Sequence, residues 1–470
     1  MKLFSVFLFI CLVNSEIPWP PKKGIVNQYI DHFSFSAISG DKFEQTYFYD
    51  DSQFDGKGPI LFYCGNEGEI GVFYNNTGFM FEVAVPLKAL VVFGEHRYYG
   101  ASMPFGELSL EKPFIQYLTI EQTLADYVYM IKQIKEKFKA ENSPVIAFGG
   151  SYGGVLSAYM RMRYPDIVEG AIASSAQIKW VSGLGDIHDY TNSLTEVYRK
   201  ANSNCPDIIK NGFEALMKSD NFKEISEKMQ LCELIKSEDE RDWILKWARN
   251  AFFTMAMTNY PYPTMLIAEL PANPMNVSCQ AALTKKDPVE SLREAISVIY
   301  PKDDHKNCYD YKSQYVECSD IIGCGIGYDA IAWDFQSCTE VHLYDRQKSS
   351  TGMLPNLPPS VNQLNKYCKK TWGVMRRDNQ LKTLFPLESL SKYSNIFFSN
   401  GDIDPWLEGC VQNSTSDSIK VRLIEGGAHH LDIRSSNPKD PESVVKVRAE
   451  ELAEIQAWIK NYHTRMNDDQ

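Results

Sequence analysis

The chain has 470 residues, of which 44% are hydrophobic and 23% are charged, and its formal net charge is −12 at pH 7. This acidic balance argues against binding to nucleic acids or anionic membranes, because both attract basic proteins. The length exceeds that of one ordinary compact core. We therefore expect several domains, or one large framework that carries an insertion.

The first fifteen residues have the pattern of an export signal. Lys2 precedes an apolar run from Leu3 to Val13, and the small residues Asn14-Ser15 follow. Such a run is too short to span a bilayer, so residues 1–15 predict a cleaved signal peptide; the alternative is a buried N-terminal strand. Since no later run is long enough to span, we expect a secreted or lysosomal protein with no membrane partner.

Cysteine usage agrees with export. Cleavage would remove Cys11 and leave ten of the eleven cysteines, an even number that favours as many as five disulfides. A zinc site is disfavoured because the chain has no CxxC pair, and we expect neither a metal nor a cofactor. Glycosylation sequons occur at Asn75, Asn276 and Asn413.

Residues 16–182 alternate strand and helix patterns. Short apolar runs at 59–64, 89–93 and 144–148 are typical of buried parallel strands, and Thr119 resembles a helix cap. Residues 183–372 hold most of the cysteines, helical stretches and proline-rich joints, which predict an inserted helical cap. The α/β pattern resumes over 373–470. The expected architecture is a doubly wound, mostly parallel sheet with a disulfide-stapled helical insertion.

A candidate nucleophile lies where a predicted strand meets a predicted helix. Ser151 stands between Gly149 and Gly153, which is the spacing of a nucleophile elbow. A serine hydroxyl needs a neighbouring base and a group that orients this base. The short pattern alone also occurs in incidental turns, but its strand-to-helix setting favours a hydrolase.

The acid and the base should follow later strands, in the order Ser, acid, His. The loop after strand 395–398 offers Asp402 and Asp404, and the loop after strand 419–424 offers His429 and His430. The residues alone leave both choices open.

Two N–H donors are needed for the oxyanion of the tetrahedral intermediate. The backbone amide of Tyr152 is one candidate, and the glycine-rich stretch containing Gly65 and Asn66 offers the other; an ordinary turn is the alternative for this stretch. The oxyanion role does not account for the neighbouring Glu67.

Five motifs spread over nearly the whole chain resemble those of the prolyl carboxypeptidase and dipeptidyl peptidase II family: Gly65-Asn-Glu-Gly68, Glu95-His-Arg-Tyr-Tyr-Gly100, Gly149-Gly-Ser-Tyr-Gly-Gly154, Asp404-Pro-Trp406 and Gly427-Ala-His-His-Leu-Asp432. Motifs of the insertion are more similar to dipeptidyl peptidase II, among them Tyr260-Pro-Tyr-Pro263 and Ala332-Trp-Asp-Phe-Gln336. The resemblance implies an α/β-hydrolase fold with a helical cap. It also implies the triad Ser151, Asp404 and His429, with His430 and Arg434 in support.

The resemblance further implies a serine exopeptidase that releases dipeptides from peptides with penultimate Pro or Ala. Asp320 would bind the substrate ammonium, Trp406 is a candidate wall for the proline pocket, and Glu67 is a further substrate-binding candidate. The alternatives are a Pro-Xaa carboxypeptidase, a related endopeptidase, or a non-catalytic binding protein on a hydrolase scaffold. Family analogy also suggests a homodimer.

Cys64 and Cys410 depart from the family pattern. Both lie beside loops of the expected site, so we predict that they pair with each other. The other eight cysteines of the mature chain would then form four bridges in the cap.

Overall fold

The computed structural model describes residues 17–35, 41–303, 305–320, 322–341, 352–357, 360–377 and 380–468. The predicted signal peptide lies outside the described residues. Over the part that is described, no helix is both long enough and apolar enough to cross a membrane.

One mixed sheet organises the first and last parts of the chain. Its strand order is β1-β2-β4-β3-β5-β6-β7-β8, where β1 and β2 pair antiparallel, β2 and β4 pair antiparallel, and the remaining neighbours are parallel. The strands are β1 Lys22–Tyr29, β2 Lys42–Asp50, β3 Ile60–Cys64, β4 Leu90–Gly94, β5 Val145–Gly150, β6 Gly170–Ser174, β7 Ile396–Gly401 and β8 Ile419–Ile424.

Helices cover the sheet and fill the insertion. In chain order the α-helices are α1 Ile70–Asn76, α2 Phe79–Leu87, α3 Ile120–Phe138, α4 Tyr152–Arg163, α5 Ile178–Val181, α6 Ile187–Ala201, α7 Cys205–Lys218, α8 Phe222–Lys228, α9 Glu238–Met257, α10 Pro274–Ala282, α11 Pro288–Ile296, α12 Tyr311–Gln314, α13 Tyr328–Thr339, α14 Val361–Thr371, α15 Gln380–Leu384 and α16 Glu442–Asp468. Short 3-10 turns occupy Gly106–Leu108, Phe114–Tyr117, Leu387–Lys392, Leu407–Gly409 and Leu431–Ile433.

The central strands are buried on both faces, which is why their sequences are continuous apolar runs. Along β3 the side chains alternate: Phe62 belongs to the cluster that includes α3 and α4, whereas Leu61 belongs to the cluster that includes α2 and α16. The Thr119 side chain accepts a hydrogen bond from the Gln122 N–H and starts α3 as its sequence predicts. These observations confirm the expected doubly wound, mostly parallel α/β sheet.

Helices α6 to α14 lie in the chain between β6 and β7, and all of them except α13 share one apolar core around α9. Ala332 and Phe335 of α13 pack instead in a smaller cluster with Tyr98 and Tyr99. Eight cysteines of this insertion form four disulfides, as expected: Cys205–Cys279, Cys232–Cys308, Cys318–Cys324 and Cys338–Cys368. Because Cys318 and Cys324 are bonded to each other, their sulfur atoms do not serve as metal ligands with the nearby Asp334.

The predicted bridge between Cys64 and Cys410 is wrong, since both are buried free thiols. Cys64 ends β3, whereas Cys410 follows β7, and the strand order places these strands three positions apart. Strands β3 and β7 are therefore roughly 14 Å apart, whereas a disulfide requires the Cα atoms of its two cysteines to lie within about 7 Å of each other. The Cys410 thiol instead donates to the carbonyl of Trp406 at 3.4 Å.

Candidate active site

A strained turn between β5 and α4 presents Ser151. Its φ of 57° and ψ of −129° are unusual for a residue with a side chain. The flanking glycines are required by space: a Cβ on Gly149 would lie 2.0 Å from the Gly153 carbonyl oxygen, and one on Gly153 would lie 2.3 Å from Asn66 Oδ1. The turn therefore places the serine at the carboxyl edge of the sheet, where the loops after β7 and β8 also lie.

Those two loops bring His429 and Asp404 together. His429 Nδ1 lies 2.7 Å from Asp404 Oδ2, and both side chains are buried. The second carboxylate oxygen of Asp404 accepts the Trp406 N–H at 3.0 Å. Because the carboxylate accepts a hydrogen bond from the Nδ1–H group, the Nε2 atom of His429 is left as an acceptor; it is buried and has no hydrogen-bond partner among the described residues. This is the geometry of a general base and its orienting acid.

Asp402 and His430, the alternative candidates for the acid and the base, have other partners. The carboxylate of Asp402 accepts the Gly426 N–H at 2.7 Å and lies 3.8 Å from the Lys200 ammonium. His430 adopts a left-handed backbone, and its N–H donates to Ser175 Oγ at 2.8 Å. Its ring packs over Gly150, and burial lowers its pKa well below the usual value. His430 is therefore a neutral, packed neighbour of His429.

Arg434 supports the base loop indirectly. Its guanidinium donates to Asn76 and Thr264, and it stacks over the Tyr260 ring at 4.3 Å. The Tyr260 hydroxyl donates to the backbone carbonyl of His429 at 3.0 Å. The insertion thus touches the base loop directly through Tyr260.

The loop after β3, where the sequence predicts an oxyanion donor, packs against the nucleophile elbow. The Gly65 N–H donates to the Gly94 carbonyl at 3.0 Å, so it does not face a substrate as the sequence suggested. The Asn66 side chain accepts from the Tyr63 hydroxyl and donates to the Gly150 carbonyl, each at 2.8 Å. These bonds hold the Asn66 backbone against the elbow, and they leave the amides of Asn66 and Tyr152 as the candidate donors.

A small cavity of about 30 Å³ opens beside the nucleophile. Gln177 joins the two, because it lines the cavity and its Nε2 donates to Ser151 Oγ at 3.4 Å. Aromatic and aliphatic side chains form much of the wall: Trp180, Val181, Trp333, Val341 and Trp406. Four further polar or charged residues also line it: Ser319, Asp320, Ser337 and Arg376. Trp406 lies where the sequence suggested, with its ring centroid 6.3 Å from that of His429.

Two carboxylates lie close to this site. Asp320 accepts the Trp333 indole N–H at 2.9 Å and the Ile322 N–H at 3.0 Å, while burial raises its pKa. Burial also raises the pKa of Glu67, and the nearby Asp320 carboxylate adds to this rise. The Oε2 atom of Glu67 is buried without a hydrogen-bond partner among the described residues.

Sequence reasoning gave no role to Gln177, Trp333, Tyr260 or Gln336. Gln177 follows β6, and the rule that ligands bind beyond the carboxyl ends of strands could have found it. The other three lie within quoted motifs of the insertion, where single-sequence patterns do not reveal which side faces the sheet.

The sheet order, the elbow and the loops that follow β7 and β8 define an α/β-hydrolase. Comparison with known proteins agrees. The family model described as serine carboxypeptidase S28 matches residues 28–451. The chain is 34% identical to the lysosomal Pro-X carboxypeptidase of Bos taurus, over 94% of this chain and 88% of that protein, and 35% identical to that of Homo sapiens, over 93% and 88%. It is 25% identical to the thymus-specific serine protease of Homo sapiens, over 94% and 87%.

The chain belongs to the serine carboxypeptidase S28 family and is a serine-type peptidase. Among solved structures, a peroxisomal alpha-beta-hydrolase of Saccharomyces cerevisiae aligns over 93% of this chain and 88% of its own, with 10% identity and a TM-score of 0.39. This likeness is too low to carry an argument. These relatives are named lysosomal Pro-X carboxypeptidase or thymus-specific serine protease, so they do not support the narrower resemblance to dipeptidyl peptidase II.

Proposed function

We propose that this peptidase releases dipeptides from the free N-terminus of peptides, and that it cleaves after proline or alanine. Ser151 attacks the scissile carbonyl while His429 Nε2 takes its proton, and Asp404 keeps the imidazole oriented. His429 then gives the proton to the leaving amine, and water releases the dipeptide from the acyl-enzyme. The amides of Tyr152 and Asn66 stabilise the oxyanion.

The observation that carries this proposal is the pair of carboxylates, Asp320 and Glu67, beside the nucleophile. An exopeptidase of this type needs an anion at a fixed distance from its serine to bind the substrate ammonium. Asp320 is half-buried, accepts the Trp333 indole N–H and lies in a loop closed by the Cys318–Cys324 disulfide. Each carboxylate pays a desolvation cost that an ammonium group would offset.

The apolar part of the cavity suits the residue before the scissile bond. The rings of Trp180 and Trp406 lie 5.3 Å apart, and Trp333 forms a further part of the wall. Flat aromatic faces enclose a proline ring without leaving polar groups unsatisfied. The modest size of the cavity favours proline or alanine over large side chains.

A second candidate is a Pro-X carboxypeptidase, the activity in the names of the relatives. It needs a cation for the terminal carboxylate, and Arg376 lines the same cavity. An endopeptidase of the same family would need neither charged contact.

Matched peptide reporters separate these activities. The purified protein is incubated with Ala-Pro-aminomethylcoumarin, with its N-acetylated form, and with an N-blocked peptide ending in Pro-Phe. Cleavage of the free dipeptide reporter alone supports the proposal, release of phenylalanine supports the carboxypeptidase, and cleavage of the acetylated reporter supports an endopeptidase. Ser151→Ala should abolish both turnover and labelling by a fluorophosphonate. Asp320→Asn should raise KM for the free reporter.

We also propose that the protein is exported to the cell exterior or to lysosomes after removal of residues 1–15. The four disulfides and the lysosomal relatives support this location, and the side chains of Asn75, Asn276 and Asn413 are exposed, as glycan attachment requires. N-terminal sequencing and a mobility shift after glycosidase treatment test these points. Light scattering tests the predicted homodimer.

A further inference from the structure

One helix of the insertion, α13, contacts both the substrate cavity and the nucleophile elbow. Trp333 and Ser337 on this helix line the cavity, and Trp333 holds Asp320. Gln336 is fully buried and reaches across to the core, where its Nε2 donates to the Tyr152 hydroxyl at 2.9 Å. The helix therefore joins two parts of the site that come from different regions of the chain.

The hydrogen bonds around Gln336 have a defined direction. The Tyr99 hydroxyl donates to Gln336 Oε1 at 2.6 Å, which fixes the amide orientation and turns its N–H₂ towards Tyr152. His96 Nδ1 lies 2.7 Å from the Arg97 carbonyl, so Nδ1 carries the proton and Nε2 is an acceptor. Burial lowers the pKa of His96 to about 4, so the ring is neutral. The Tyr152 hydroxyl therefore donates to His96 Nε2 at 3.2 Å.

Tyr152 is held at both ends of its side chain. Its backbone begins α4 directly after Ser151, and its ring is fully buried against Trp333, with centroids 5.4 Å apart. The hydroxyl is fixed between Gln336 and His96. Small displacements of an oxyanion donor weaken transition-state stabilisation strongly. The contacts that fix the Tyr152 side chain therefore help to fix the position of its backbone amide.

We propose that Gln336 is a positioning residue for the oxyanion hole, through which the insertion holds the Tyr152 amide in its catalytic position. This inference rests on the proposed role of Tyr152. Trp333 and Ser337, which line the cavity, belong to the same helix as Gln336, so a substrate in the cavity would contact the helix that holds Tyr152.

The test compares Gln336→Met, which keeps a similar volume but loses both hydrogen bonds, with Tyr152→Phe, which removes only the shared hydroxyl. Thr339→Val on the same helix is the matched control, because the Thr339 hydroxyl donates only to carbonyls of α13. Each variant and the double variant Gln336→Met/Tyr152→Phe are assayed for kcat and KM on the dipeptide reporter. Thermal unfolding identifies the variants that are folded.

We expect kcat to fall about tenfold in Gln336→Met with KM within about twofold, less than the loss of a whole oxyanion donor because the amide is displaced and not removed. Tyr152→Phe should lose a similar factor, and the double variant should lose no more than the worse single variant, since both variants lose the hydrogen bond that Gln336 and Tyr152 share. Thr339→Val should match the wild type.

An unchanged kcat in Gln336→Met, a change confined to KM, or fully additive losses in the double variant would overturn the inference. Should Gln336→Met not fold, an unchanged kcat in Tyr152→Phe overturns it equally. If the wild type is active and the variants give any of these contrary results, only the role of Gln336 is refuted. A wild type that neither cleaves the reporters nor reacts with the fluorophosphonate refutes the proposed function as well.

Discussion

The Tyr260 hydroxyl donates a 3.0 Å hydrogen bond to the backbone carbonyl of His429, so a residue of the insertion fixes the loop that carries the base. Tyr260→Phe leaves this buried carbonyl without its donor. We expect a loss of about 1–3 kcal/mol in the free energy of unfolding, and a lower kcat, because such an unmade bond costs the full desolvation penalty. Denaturant unfolding and steady-state kinetics measure both. Tyr262→Phe, on the neighbouring stacked ring, is the control and should have the smaller effect.

The two aspartates of the acid loop should differ sharply in their effect on turnover. Asp404→Asn keeps the shape but removes the acceptor that selects the His429 tautomer, so we expect kcat to fall by about 10⁴. Asp402→Asn should leave kcat within about threefold, because Asp402 contacts Gly426 and Lys200 at the edge of the site. Equal losses in the two variants would contradict the assignment of Asp404.

Stability should decline as the pH rises, in part because of Glu340. Its carboxylate accepts the Ile120 N–H at the start of α3, and burial raises its pKa from 4.5 to about 8. Between these values the folded protein retains a proton that the unfolded chain releases, so the free energy of unfolding falls from pH 4.5 and levels off above pH 8. Glu340→Gln keeps an acceptor without titrating. Its melting temperature relative to the wild type should rise between pH 5 and pH 8; a constant difference would contradict this prediction.

Two disulfides should rank in opposite order for their effects on stability and on substrate binding. Cys205 and Cys279 are 74 residues apart, whereas Cys318 and Cys324 are 6 apart. From loop length alone, replacing the first pair with serine should cost about 4 kcal/mol and the second about 2 kcal/mol. Because the short loop carries Asp320, the second replacement should nevertheless raise KM more. Unfolding and kinetics on both double variants decide this; a larger KM effect from the first pair would argue against Asp320 as the ammonium site.

Thiol titration checks the free cysteines. Cys64 and Cys410 are buried, and burial raises the pKa of both thiols, so the native mature protein should not react with maleimide. Denaturation without reductant should then expose both thiols, whose peptides mass spectrometry can map. A peptide that contains a Cys64–Cys410 bridge would show the structure to be wrong here.

Local patterns predicted the sheet because buried strands and capped helices leave signals within a few residues. The runs before Gly65 and Gly149, the cap at Thr119 and the order of the late loops all depend on such short-range chemistry. The elbow at Ser151 could be predicted for the same reason, since the space around its glycines is set by the turn itself.

Contacts between distant segments could not be predicted in this way. Nothing local to Gln336 indicates that it meets Tyr152, because that contact depends on how the insertion packs on the sheet. The wrong pairing of Cys64 with Cys410 has the same origin. Both residues adjoin loops of one site, but strand order keeps them apart.

The insertion between β6 and β7 affects the order in which the parts of the site are synthesised and folded. Ala171 on β6 pairs with Ile396 on β7, so these neighbours in the sheet are made far apart in time on the ribosome. Ser151 precedes the insertion in the chain, whereas Asp404 and His429 follow it. A growing or truncated chain thus carries the proposed nucleophile without its proposed base, and the proposed triad is complete only when the last strands close the sheet.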